Sequence, residues 1–220
     1  MICPYEPGKP IEEVQRELGL SVITKLASNE NPLGPSAQVV ETLNRTNLGL
    51  HLYPDYEGYY LRQTLGAKLG VPADNILLGA GSAELMHLIA DAFLDRGDEG
   101  VVADLCFPVY ANVIRLAGAT PVEVPVNEQL DHDLERMLAA VTPRTRMLFL
   151  ATPNNPTGRS TSVADLSALL DRLPSEVLLI LDLAYWEYVQ EADDAALLTL
   201  LGKHSNLILL RTFSKAYGLA

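Results

Sequence analysis

The chain has 220 residues, 48% of them hydrophobic and 20% charged, with a formal net charge of −12. That length holds one substantial core, or one core and part of a second, and the composition argues against disorder. The acidic balance disfavours nucleic acid and anionic membrane as partners, which need a basic footprint, but allows an anionic small molecule held by local donors.

No apolar stretch approaches the roughly 20 residues of a membrane span. The start, Met1-Ile-Cys-Pro-Tyr-Glu6, shows no basic segment followed by an apolar one, so no signal peptide is expected. Cys3 and Cys106 are the only cysteines and read as free thiols, which points to the cytoplasm. Histidines 51, 87, 132 and 204 lack ligand spacing, and no metal site is expected.

Residues 1–50 read as an N-terminal arm with a portion of a small domain, and 51–220 as a larger cofactor-binding domain. Pro4, Pro7 and Pro10 punctuate the arm, and Ile11, Val14 and Leu18 share one side of a short helix. Asn29-Glu-Asn-Pro-Leu-Gly-Pro-Ser36 is rich in turn residues and opens a helix near Ser36. Leu61, Leu65 and Leu69 have helical spacing, and Gly70 ends that helix.

Ile76-Leu-Leu78 reads as a short buried strand followed by a glycine turn. The helix from Ser82 carries Leu85, Leu88, Ile89, Ala92 and Phe93 on one face. Val101-Val-Ala103 is the next strand, Val109–Leu116 a helix, and Pro121–Val126 a strand. A helix over 131–140 packs through Leu134, Met137 and Leu138. Met147-Leu-Phe-Leu-Ala151 is unbroken and apolar, as a strand covered on both faces must be. Ser162 with Asp165 makes an imperfect capping box for a helix carrying Leu166, Leu169, Leu170 and Leu173. Val177–Leu181 and Leu207–Leu210 are two more buried strands. Such alternation predicts an α/β fold: three layers, α/β/α, around a mostly parallel sheet.

Ligands of such sheets collect beyond the C-terminal strand ends, where this chain places its polar motifs. Gly79-Ala-Gly-Ser-Ala-Glu84 opens a helix, so the amides of Ser82 and Ala83 can face an anion, although a tight turn explains the glycines as well. Asp182 ends an apolar strand, where a carboxylate can pair with a protonated pyridine nitrogen or simply sit in solvent. Tyr185 and Asn155 can reach a phenolic oxygen of the same ligand; packing and turn chemistry are their plainer explanations. Tyr110 can stack on a flat cofactor or fill the core. Lys215 is one of five lysines, and it follows a buried strand and the hydroxyls Thr212 and Ser214. A lysine so placed suits a Schiff base with an aldehyde cofactor whose phosphate the hydroxyls hold.

In this order the motifs resemble those of the fold-type I pyridoxal-phosphate-dependent aminotransferases, and within them the histidinol-phosphate aminotransferase family. The arm carries the more specific part of the likeness, in Tyr5–Val14, Leu26-Ala-Ser-Asn-Glu-Asn-Pro-Leu-Gly-Pro35 and Tyr53-Pro-Asp55. The resemblance implies pyridoxal 5'-phosphate as cofactor, Lys215 as the Schiff-base lysine and proton carrier, and Asp182 against the pyridinium. It gives Asn155 and Tyr185 the phenolic oxygen, Tyr110 the ring face, and Ser82, Ala83, Thr212 and Ser214 the phosphate. Tyr53 would reach a partner's site across a homodimer. The implied partners are an amino donor and a 2-oxo acid, L-histidinol phosphate and 2-oxoglutarate.

Two departures stand out. Leu183 follows the aspartate where the family usually has Glu. The family also continues beyond the lysine with a phosphate-binding arginine, an antiparallel strand inside the sheet, and a small domain bearing the arginine for the substrate carboxylate. The 220 residues include none of these, so the expectation is a truncated chain with weak or no activity alone and two unpaired strand edges, beside 76–78 and 207–210. A decarboxylase of a phosphorylated amino acid, of the threonine-phosphate type, and a non-catalytic remnant are the alternatives.

Overall fold

The computed structural model describes residues 8–46, 49, 51–190 and 192–220. Cys3, Pro4, Pro7 and the opening of the Tyr5–Val14 motif lie outside them. Five parallel strands form one sheet: β1 (Glu99–Ala103), β2 (Thr120–Val124), β3 (Thr145–Ala151), β4 (Leu178–Asp182) and β5 (Leu207–Leu210). Their spatial order is β2-β1-β3-β4-β5, and every neighbouring pair is parallel.

The strands are apolar throughout because both faces are covered, and the pleat sorts their residues two by two. Leu148, Leu150, Leu179 and Leu181 face one layer, built from α6 (Leu134–Ala139), α7 (Val163–Leu170) and α8 (Asp194–Lys203). Met147, Phe149 and Ile180 face the other, built from α4 (Gly81–Phe93) and α5 (Val109–Leu116). Each such side chain contributes about 1.5–3 kcal/mol by leaving water. The expected three-layer α/β/α arrangement is therefore what forms.

Local signals set several boundaries. The Ser162 hydroxyl accepts from the Asp165 amide at 3.1 Å and donates to the Asp165 carboxylate at 2.6 Å, starting α7. Asp133 accepts from the Arg136 amide at 3.0 Å and starts α6. Ahead of the sheet lie α1 (Ile11–Leu18), α2 (Ala37–Arg45), which the Ser36 side chain caps, and α3 (Tyr59–Leu69), which ends at Gly70.

Three expectations change. Ile76–Leu78 is not a strand: no described strand pairs with it, β5 is the sheet edge, and Leu77 is 66% exposed. An apolar triplet becomes a strand only when a neighbour takes its backbone groups. In α4 the buried residues are Met86, Ile89 and Ala90, whereas Leu88 and Phe93 are exposed. That helix is apolar around most of its circumference, so its sequence does not choose a face. Finally, α8 was not anticipated; Asp193 caps it by accepting from the Ala196 amide at 2.8 Å, and Leu197 and Leu200 bury it.

Candidate active site

The site lies beyond the C-terminal strand ends, where β3, β4 and β5 finish level. Ala151 pairs with Asp182 in register, and Asp182 with Leu210. Asp182 is only 5% exposed. One carboxylate oxygen accepts from the Tyr110 hydroxyl at 2.7 Å, the other from the Ala184 amide at 3.0 Å. No lysine or arginine among the described residues is within ion-pair distance of it. Burial pushes its pKa up, against the pull of these donors and of the Lys215 charge.

Lys215 follows β5 in the Arg211–Ala216 loop. Its Nζ donates to the Ser28 carbonyl at 3.0 Å and stands 5.9 Å from the centre of the Tyr185 ring. Burial lowers the pKa of the amine, while Glu30 and Asp182 act in the opposite sense. A partly desolvated amine spends more time neutral, the form that attacks an aldehyde.

Beside it, the Thr212 hydroxyl donates to Ser214 Oγ at 2.9 Å and accepts from the Ser214 amide at 3.1 Å. The first residue of α4, Gly81, has φ 72, and a Cβ there would come 3.9 Å from Ser214 Oγ. The opening turn of α4, with the Ser82 and Ala83 amides, is thus beside the two hydroxyls. Amides of a first helical turn have no partner within the helix and favour an anion. Glu84 turns back and accepts from the Ala80 amide at 2.5 Å.

Asn155 and Tyr185 line one cleft of about 710 Å³ together with Asn29. The neighbouring Asn154 does turn work: its Nδ2 donates to the Leu105 carbonyl at 2.9 Å and to Thr157 at 3.1 Å, and its buried Oδ1 has no partner. Tyr110, expected as the stacking platform, stands against Asp182. It is 1% exposed, lies 5.1 Å from and nearly parallel to Phe149, and spends its hydroxyl on Asp182. Phe149 stacks on one face of the ring and Phe107 meets it edge-on, as α5 packs the tyrosine into the core. Burial, with the Asp182 charge, holds the Tyr110 phenol well above its ordinary pKa. Tyr53 is 102% exposed and stands apart from the cluster within this chain.

Sequence reasoning missed two sets of residues. Ser28, Asn29 and Asn31 of the arm reach Lys215, Tyr185 and the Ala216 carbonyl. Their sequence signals were the turn-rich Asn-Glu-Asn-Pro run and the family likeness of Leu26–Pro35, neither of which placed them at the site. Arg211 ties the lysine loop to Glu187 at 2.7 Å and to Asp194 at 3.2 Å. The Trp186 indole donates to the same Asp194 carboxylate at 2.8 Å, so one network fixes both loops of the site against α8.

Known proteins are similar to this chain in sequence and in fold. The sequence profile of the family described as aminotransferase class I and II matches residues 21–220. The chain is similar to a histidinol-phosphate aminotransferase of Moorella thermoacetica, 47% identical over all of this chain and 57% of that protein. It is also similar to histidinol-phosphate aminotransferase 2 of Methylococcus capsulatus, at 46% identity over all of this chain and 60% of that protein. The chain thus spans about three fifths of the length of these relatives. Among solved structures, the histidinol-phosphate aminotransferase of Sinorhizobium meliloti in complex with pyridoxal-5'-phosphate superposes with a TM-score of 0.82. It is 28% identical, over 97% of this chain and 58% of that one. With its profile match running through the Asp182 and Lys215 loops, this chain belongs to the class I and II aminotransferases.

Proposed function

We propose that this chain is the cofactor-holding part of a pyridoxal-phosphate-dependent aminotransferase that moves the amino group of L-histidinol phosphate to 2-oxoglutarate. The observation that carries the reading is Asp182, a carboxylate buried against Tyr110 with no cation in ion-pair distance among the described residues. Leaving such a charge unpaired is costly, and a protonated ring nitrogen is the counter-charge that fits. The cofactor, when bound, supplies an aldehyde for the amine and an electron sink for the carbon that loses its proton.

The residues divide the remaining work. Lys215 would hold the cofactor through its amine and would carry a proton at Nζ. Asp182 keeps the ring nitrogen protonated, and Tyr110 orients that carboxylate through its hydroxyl. Asn155 and Tyr185 donate to the phenolic oxygen. The Ser82 and Ala83 amides, with Thr212 and Ser214, hold the phosphate. Residues 1–50 act as arm and small-domain portion and 51–220 as the cofactor domain. The exposed Tyr53 reaches the partner's site in a cytoplasmic homodimer serving histidine biosynthesis. The family match and the histidinol-phosphate relatives support this choice of reaction.

The test adds pyridoxal phosphate to the chain and follows its visible absorbance. A band that appears with the wild type, disappears in Lys215→Ala, and leaves a borohydride-fixed label on the peptide containing position 215 is the expected result. Histidinol phosphate should then bleach the band without releasing carbon dioxide. A label elsewhere, or none, overturns the cofactor assignment.

A further inference from the structure

The arm segment Ser28–Asn31 touches both loops of the site. Ser28 and Asn29 lie in left-handed backbone, φ 69 and 49, a conformation uncommon for residues other than glycine and best tolerated by Asn. The turn aims the Ser28 carbonyl at Lys215 Nζ, 3.0 Å away, and the Asn29 amide at Tyr185. Asn29 Nδ2 donates to the Tyr185 hydroxyl oxygen at 2.8 Å. Two residues on, Asn31 anchors the turn: its Nδ2 donates to the Ala216 carbonyl at 2.9 Å, and its Oδ1 accepts from the Leu33 amide at 3.0 Å.

We propose that Asn29 is a positioning residue for Tyr185, donating to the phenol oxygen so that the tyrosine's own hydrogen is directed into the site. The inference deepens the cofactor reading above, because the natural recipient of that hydrogen is the phenolic oxygen of pyridoxal phosphate. A hydroxyl that accepts one hydrogen bond becomes a better donor in the next. An amide placed there raises the donor strength of Tyr185 without adding a charge. Among the described residues, Asp182, Lys215 and Glu30 are titratable groups at this end of the site, with Tyr110 behind Asp182 and Tyr188 lining the same cleft. None of them changes in the variants below.

Two substitutions keep the left-handed backbone. Asn29→Gly removes the amide, and Asn29→Asp replaces it with a group of the same shape that only accepts. In the cofactor-free chain, the phenol of Tyr185 is followed by NMR of 13C-labelled tyrosine against pH. The midpoint should rise by about half to one pH unit in Asn29→Gly, the size expected for losing one hydrogen bond to the phenolate, and further in Asn29→Asp. In the loaded protein, the pH midpoint of the visible band should rise in the same order, and Asn29→Gly should add nothing in a Tyr185→Phe background. An unmoved tyrosine midpoint in Asn29→Gly, or an Asn29→Asp chain titrating like wild type, overturns the proposal. A wild-type chain with no Lys215-dependent band would sink the cofactor reading instead, and the unloaded titration would still decide the role of Asn29.

Discussion

Asp182 combines deep burial with a charge, and the two requirements pull apart when no ligand is present. Its carboxyl pKa is raised above the ordinary 3.8, chiefly by burial. The unfolded chain therefore gives up this proton at lower pH than the folded one. The stability contributed by the neutral carboxyl is present below 3.8 and is lost as pH rises through the raised folded value. Asp182→Asn should abolish that loss, so the difference in urea-unfolding free energy between variant and wild type should grow in the variant's favour across this window. The same change should weaken pyridoxal phosphate binding by tenfold or more, which is about 1.4 kcal/mol or above, in a fluorescence titration. A variant that bound as tightly as wild type would remove Asp182 from the site. Cys106 belongs to a different category: burial and the charges of Glu123 and Asp104 push its thiol to about 12, so it is inert at neutral pH.

Secondary elements differ in how openly their residues announce them. The strands β3, β4 and β5 and the helix α5 were legible because continuous apolar runs and clear turn signals bounded them. The strand-end placement of Asp182, the last residue of β4, and of Lys215, five residues past β5, was legible too. Ile76–Leu78 misled, since pairing is a property of two segments and the triplet describes only one. The buried side of α4 was illegible because apolar residues surround the helix. Asn29 was missed for a related reason: its partner Tyr185 is 156 positions away, and only the folded arm brings them together.

The contact of the arm with the lysine loop gives a prediction of its own. Gly218 has φ 65, and a Cβ there would fall 2.6 Å from the Gly34 carbonyl carbon. Gly218→Ala should cost about 1–2 kcal/mol from the left-handed backbone alone, with the collision in addition. It should also speed proteolytic cleavage of the arm near residue 34. Unchanged cleavage would mean that the arm is held mainly by the hydrogen bonds of Asn29 and Asn31.

Taken together, the molecule shows two unlike surfaces. The helices over the sheet expose charged pairs such as Arg172–Glu135 along with single apolar residues, Leu88, Phe93 and Leu116. The arm and α3 instead leave Leu26, Leu33, Tyr53, Tyr56 and Tyr60 exposed. Exposed apolar side chains of that number point to an association surface. The chain should sediment as a dimer, and Tyr56→Glu with Tyr60→Glu should shift it toward monomer while leaving far-ultraviolet circular dichroism unchanged. A wild-type monomer at tens of micromolar would separate this surface from self-association.

Among the described residues, β5, the strand ahead of Lys215, pairs on one flank, with β4. Its backbone amides should exchange with deuterated solvent sooner than those of β3, which is flanked on both sides. Any loosening there travels five residues along the chain, from Leu210 to Lys215, while Asp182 stays anchored on the better-supported β4. Lys215 and Asp182 therefore hang from supports of unequal stiffness, and warming should unmoor the first long before the second.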